Sequence, residues 1–118
     1  LSRRKVEYLK ELADRFLDGS ADPVGWRELD DDGVVAALTA IKGIGRWTAE
    51  MFLMFTLMRP DVLPLGDIGL QRAMGLHYQG EGKMMTGDIE KIAAQWQPWR
   101  SVATWYLWRS LDPLPVEY

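Results

Sequence analysis

Lys42-Gly43-Ile44-Gly45 joins two helical stretches across a span that leaves room only for a tight hairpin. Two glycines there supply positive φ and close backbone approach, which bulkier residues resist. The helix that follows, Arg46 to about Met58, is apolar almost all round: Trp47, Ala49, Met51, Phe52, Leu53, Met54, Phe55, Leu57 and Met58 are interrupted only by Thr48, Glu50 and Thr56. A helix apolar on every side is either a membrane span or the core of a domain. The stretch falls short of the roughly 18 apolar residues a span needs, so it reads as a central core helix. Such a helix, starting at a glycine hairpin, presents its first-turn N–H groups and positive dipole end at the surface, ready for an anion.

The remaining sequence is helical in pattern. From Ser2 to Asp18, Val6, Leu9, Leu12, Ala13, Phe16 and Leu17 recur at helical spacing, which predicts a one-sided surface helix capped by Ser2 and ended by Gly19. Trp26 to Leu29 reads as a single turn. Asp30, Asp31 and Asp32 supply a cap and first-turn negative charge for a helix over Val34 to Thr39, a better account of three adjacent carboxylates than a metal cluster. The Pro- and Gly-containing run Arg59 to Gly66 cannot continue a helix, yet Val62, Leu63 and Leu65 have no reason to face water, so it reads as an ordered turn. Ile68 to Leu76 then predicts a helix and His77 to Gly87 a mobile loop. A helix capped by Thr86 or Asp88 follows, and a last one runs from Trp99 to Leu111 with Pro98 at its first position, stopped by Asp112-Pro113-Leu114-Pro115. No strand-like alternation and no internal repeat appear. The expected fold is all-α, one helical domain over residues 1–118.

Composition limits the chemistry. There is no cysteine, so no disulfide, thiolate-held metal or iron–sulfur cluster can form. The net charge of −3 excludes a protein that coats nucleic acid through a broad basic face. Any contact with DNA must be local, with Lys42 and Arg46 beside the hairpin and Arg72, Arg100 and Arg109 in the later helices. No signal peptide, polybasic tract or transmembrane run is evident, which gives the expectation of an intracellular protein, cytoplasmic or nucleoid-associated in a bacterium.

The pattern Leu38-x-x-Ile41-x-Gly43-Ile44-Gly45-x-x-x-Ala49, then Gly66-Asp67-Ile68-Gly69-Leu70, then Trp96-Gln97-Pro98-Trp99-Arg100-Ser101 and Trp108, resembles the helix-hairpin-helix base-excision DNA glycosylases. Within them it is most similar to the alkylation-repair class, DNA-3-methyladenine glycosylase II. The resemblance covers nearly the whole chain, with the hairpin motif at residues 38–58. Set against that family, the chain corresponds to roughly the C-terminal half. It begins Leu-Ser-Arg-Arg without an initiator Met, and the expectation is a fragment lacking the N-terminal portion, poorly active alone and exposing apolar surface toward the lost part.

The resemblance implies roles residue by residue. Asp67 matches the family's catalytic carboxylate; an Asp before a helix is ordinarily an N-cap, and the two readings are compatible. Bifunctional relatives place a nucleophilic Lys two positions after the second hairpin glycine. Here that position is Trp47, so no Schiff base and no coupled strand cleavage is expected. Trp47, Met51 and Trp108 are the base-pocket candidates, aromatic faces suiting a flipped cationic base. Met51 stands where other members have Tyr. Core packing is the competing reading for Trp47 and Trp108, and the adopted one for Trp26, Trp96 and Trp99. Lys42, Gly43, Ile44, Gly45, Arg46 and Thr48 are the expected phosphate contacts, which set register without reading sequence. Carbonyls of Thr39, Ile41 and Gly43 are implied ligands of a monovalent cation, Na+ or K+, with no organic cofactor. Glu50 reads as a helix-dipole or Arg partner, and His77 as a C-terminal dipole partner.

The expected function is a monofunctional DNA glycosylase hydrolysing the N-glycosidic bond of 3-methyladenine-type purines in damaged double-stranded DNA, monomeric at full length and without membrane contact. Two alternatives stay open: a non-catalytic helix-hairpin-helix DNA-binding module, and a helical interaction domain indifferent to DNA.

Overall fold

A computed structural model describes residues 1–112. Among them there is no strand, and the all-α expectation holds. The helices are α1 (Arg3–Leu17), α2 (Pro23–Trp26), α3 (Asp31–Thr39), α4 (Arg46–Phe55), α5 (Ile68–Met74), α6 (Thr86–Ala93) and α7 (Arg100–Ser110). A π-helical turn, Gly75–Gln79, extends α5, and a 3-10 turn, Ala94–Trp96, extends α6. The chain divides into two compact units, Leu1–Met58 and Arg59 onward. Pro113 and Pro115, expected to stop the last helix, lie outside the described residues.

In the first unit, the Ser2 hydroxyl caps α1 by accepting from Lys5 N–H at 3.2 Å, and Gly19 follows the helix at φ +83°. The Asp30 carboxylate caps α3 by accepting from Gly33 N–H at 2.8 Å, with Asp31 and Asp32 in the first turn. Carboxylates at that end complement the helix dipole. Helices α3 and α4 pack against each other, burying Val34, Val35, Leu38, Ala49 and Leu53, while Trp26 meets Phe52 edge to face at 5.7 Å.

Two expectations fail here. α4 ends at Phe55 rather than Met58: Met58 adopts φ +56°, which no helix can carry forward. Nor is α4 buried on every side, since its buried residues are Ala49, Glu50, Leu53 and Met54 while Trp47 and Phe55 are exposed. α1 turns the same way. None of its residues is fully buried, and Val6, Leu9 and Phe16 face solvent. The face it turns inward carries Tyr8, Glu11, Leu12 and Arg15, because that stripe meets the hairpin backbone.

In the second unit Leu70, Met74, Met84 and Ile89 form a buried cluster against which Leu63, Leu65, Ile92, Trp96 and Leu107 pack. The turn from Arg59 to Gly66 is ordered as expected, with Val62 and Pro64 buried. The segment expected to be a mobile loop is instead tied down. Its first part is the π turn, Met84 enters the core, and Met84 N–H donates to the Gln71 carbonyl at 3.0 Å. Gly75 lies against the Gly82 backbone so closely that a Cβ would overlap it. α6 is preceded by Met85 with no side-chain cap, so neither Thr86 nor Asp88 caps it. Pro98 follows a cis peptide and lies outside α7, whose N-cap is Trp99. Trp99 is 60% exposed and not core, whereas Trp26 is buried and Trp96 packs on the core as read.

Candidate active site

The loop entering α5 is held at two points by α7. At its start, Arg100 grips Asp61 with both side-chain edges, Nε at 2.8 Å and Nη2 at 3.0 Å, and with its backbone N–H at 3.1 Å. Those bonds hold the Asp61 carboxyl below the usual range against the opposing effect of burial. The Ser101 hydroxyl donates to the Arg59 carbonyl at 2.7 Å and accepts from Val62 N–H at 2.8 Å. Ser101 N–H donates to the Pro60 carbonyl at 2.9 Å. The Arg-Ser pair of the sequence motif is therefore a clamp on the loop.

At the loop's end stands Asp67, N-cap of α5 and only 9% exposed. Its Oδ2 accepts from Leu70 N–H at 2.7 Å and from the indole Nε1–H of Trp108 at 2.6 Å. Asp67 N–H donates back to the Pro64 carbonyl at 2.9 Å, closing the turn. The carboxylate is a cap and is also fixed by a tryptophan, so the two readings of this residue coexist. Gly69 lies beside the pair: a Cβ there would come 3.1 Å from Asp67 Oδ2 and 3.1 Å from Trp108 Cδ1.

The hairpin lies in the first unit. Gly43 has φ +95°, and the space a side chain would fill is taken by the Tyr8 ring. Gly45 differs. It has ordinary extended φ and ψ, −94° and 177°, and nothing within 4 Å of its Cβ position, so the expectation of two conformationally demanding glycines holds only for Gly43. Gly45 is the N-cap of α4 and offers no side-chain acceptor to the first turn. Lys42, Gly43, Gly45, Arg46, Trp47 and Thr48 are all exposed, and Ile44 is half-buried. An exposed helix start with Lys42 and Arg46 beside it suits an anion. Two hairpin donors are already used, Lys42 N–H on Glu11 Oε1 at 3.4 Å and Ile44 N–H on the Ile41 carbonyl at 3.1 Å. Glu50, buried one turn on, pairs with Arg46 at 3.5 Å, as its sequence position suggested.

The chain is similar to known proteins over nearly its whole length. It is 36% identical over 111 residues to the putative DNA-3-methyladenine glycosylase YfjP of Bacillus subtilis, covering 94% of this chain and 39% of that protein. It is 37% identical over 113 residues to DNA-3-methyladenine glycosylase 1 of Schizosaccharomyces pombe, covering 92% of this chain and 48% of that one. The chain belongs to the DNA-3-methyladenine glycosylase family. Among solved members, the enzyme from Bacillus halodurans superposes with a TM-score of 0.84 at 41% identity, covering 96% of this chain and 52% of that one. The Schizosaccharomyces pombe enzyme Mag1, solved in complex with abasic DNA, superposes with a TM-score of 0.87 at 31% identity, covering 98% and 58%. No protein-family model matches the chain. The chain thus spans about half the length of the glycosylases it matches.

Sequence reasoning named Asp67 and Trp108 separately, and the structure joins them by a hydrogen bond. Trp47, 51% exposed, and the half-buried Met51 lie on α4 in the first unit. Trp47 is therefore not a core residue. His77 does not merely end a helix: its Nε2 bonds the Ser110 hydroxyl at 2.7 Å. Gly69, Asp61 and Ser101 were missed as organisers of the site. The available signal was a glycine two residues after a capping Asp, where helix propensity alone argues against glycine.

Proposed function

We propose that this chain carries the chemistry of an alkylpurine DNA glycosylase, a monofunctional hydrolase acting on 3-methyladenine-type bases in damaged double-stranded DNA. The observation that carries the reading is the buried, doubly hydrogen-bonded Asp67 in a chain whose relatives are named for that reaction. Breaking the C1′–N bond sends its electron pair to the base and leaves oxocarbenium character on the sugar. A carboxylate held beside C1′ stabilises that charge where it develops. Because its position is fixed before reaction, little reorganisation opposes it. Water oxygen then adds to C1′ and gives up a proton, leaving an abasic site. An alkylated purine leaves as a neutral base, so protonation of the leaving group contributes little.

Trp47 offers an exposed ring face to a cationic flipped base. Met51 on the next turn adjusts that surface. With Trp at position 47, no amine is supplied for a covalent intermediate. Lys42, Gly43, Ile44, Gly45, Arg46 and Thr48 would hold a backbone phosphate at the start of α4. A monovalent cation fits the hairpin chemically, since carbonyls of Thr39, Ile41 and Gly43 are hard neutral donors; the Ile41 carbonyl would then serve both the ion and Ile44 N–H. Such a protein works at the DNA, in the nucleoid if bacterial.

The test is a base-release assay with full-length protein on duplexes carrying methylated purine or hypoxanthine. Release of free methylated base, with the backbone left uncut at the abasic site, is expected. Tight duplex binding without release of any base would leave only the binding-module reading.

A further inference from the structure

We infer that Trp108 is a positioning residue for the Asp67 carboxylate and that Gly69 is glycine because that pair needs its space; the inference rests on the catalytic reading of Asp67.

The indole N–H is a donor only, so its sole hydrogen-bonding use is toward an acceptor such as this one. It reaches Asp67 Oδ2 at 2.6 Å, the same oxygen that Leu70 N–H reaches at 2.7 Å. Bonds to an ionised acceptor are shorter and stronger than neutral ones, and two of them fix the carboxylate plane. The bond also fixes Trp108, whose ring edge, not its face, meets Asp67.

The support for Trp108 is built into α7. Arg100 and Ser101, at the start of that helix, hold Asp61 and Val62, and Trp108 holds Asp67 two turns later, about 12 Å along the axis. One rigid helix therefore sets both ends of the loop that delivers the carboxylate. Gly69 completes the arrangement. Its φ is not positive, so backbone freedom does not explain it. A Cβ would stand 3.1 Å from Oδ2, 3.1 Å from Cδ1 and 3.2 Å from Nε1, and each of these atoms would have to move.

Single-turnover excision and affinity for an abasic duplex are measured in the full-length protein for Trp108→Phe, Trp108→His and Gly69→Ala. Trp108→Phe keeps an aromatic ring and loses the donor. It is expected to lower the excision rate at saturating enzyme roughly 10- to 100-fold, the scale of about 1 Å of misplacement, while affinity stays within about threefold. Trp108→His restores a ring N–H and is expected to recover part of the rate. Gly69→Ala is expected to slow excision in wild type and to add little in the Trp108→Phe background. Wild-type rate in Trp108→Phe, or a loss confined to affinity, would overturn the inference; if that variant does not fold, Gly69→Ala with unchanged excision overturns it alone. Asp67→Asn separates the two claims. Full activity in that variant removes the catalytic reading itself, whereas an inactive Asp67→Asn beside a fully active Trp108→Phe removes only the positioning role.

Discussion

At Asp61, three N–H groups of a single residue converge on one carboxylate, and the consequence is measurable as a function of pH. The folded-state pKa lies below the ordinary value of 3.8, so the folded state binds its proton later than the unfolded chain as pH falls. The stabilisation is complete above about pH 4 and is lost as pH falls through the lowered folded value. Urea unfolding of Arg100→Ala is expected to show a loss of roughly 1–3 kcal/mol at pH 7, the range for hydrogen bonds to charged groups, and a smaller further loss on acidification than wild type. Equal acid sensitivity in the two proteins would contradict the assignment. The hairpin glycines give a paired test. Gly43→Ala forces a Cβ into the Tyr8 ring at φ +95° and is expected to cost about 1–3 kcal/mol, whereas Gly45→Ala, with ordinary φ and open space, stays within about 0.5 kcal/mol by thermal unfolding. Two identical residues one position apart thus have different physical duties. The sequence spelled the turn without saying which glycine carries the strain.

Elements were legible wherever a local rule suffices. Ser2 before α1, Asp30 before α3 and Asp67 before α5 cap as their chemistry requires. Faces were less legible. Periodicity in α1 marks Val6, Leu9, Leu12, Ala13, Phe16 and Leu17 as one stripe, but the hairpin presents backbone polar groups, and the face that meets it is the mixed one of Tyr8, Glu11, Leu12 and Arg15, with Leu12 alone of the apolar stripe turned inward. The Arg15 guanidinium approaches the Ala40 carbonyl at 3.5 Å on that side. The rest of the apolar stripe is left exposed, with Leu9 at 56% and Phe16 at 50%. Leu9→Lys is therefore expected to change the unfolding free energy of this chain by less than about 0.5 kcal/mol. A loss of several kcal/mol would show that this face is buried in solution. The helix α7 was read for its aromatic residues and for Arg100 and Arg109 as DNA contacts; its role as a clamp depends on contacts 39 to 42 residues apart, which no local window contains.

For the whole molecule, family membership rests on the relatives, and the proposed mechanism on a few fixed groups. Among the described residues no helix is long and apolar enough to cross a membrane, and no cluster of carboxylates and histidines is arranged to hold a metal. Position 47 carries an indole where a Schiff base would need an amine. Borohydride added during base release is expected to trap no covalent protein–DNA adduct; a trapped adduct would require another amine as nucleophile.

The carboxylate at position 67 is the group proposed to carry the bond-breaking step. Asp67→Asn keeps an oxygen to accept from Leu70 and Trp108 and removes the charge. Single-turnover release of methylated purine from duplex DNA by the full-length variant, beside its affinity for an abasic duplex, reads the claim most directly. The expected rate is lower by at least about 10²- to 10³-fold, equivalent to roughly 2.7–4 kcal/mol, with affinity and folding largely retained. Release at the wild-type rate would contradict it.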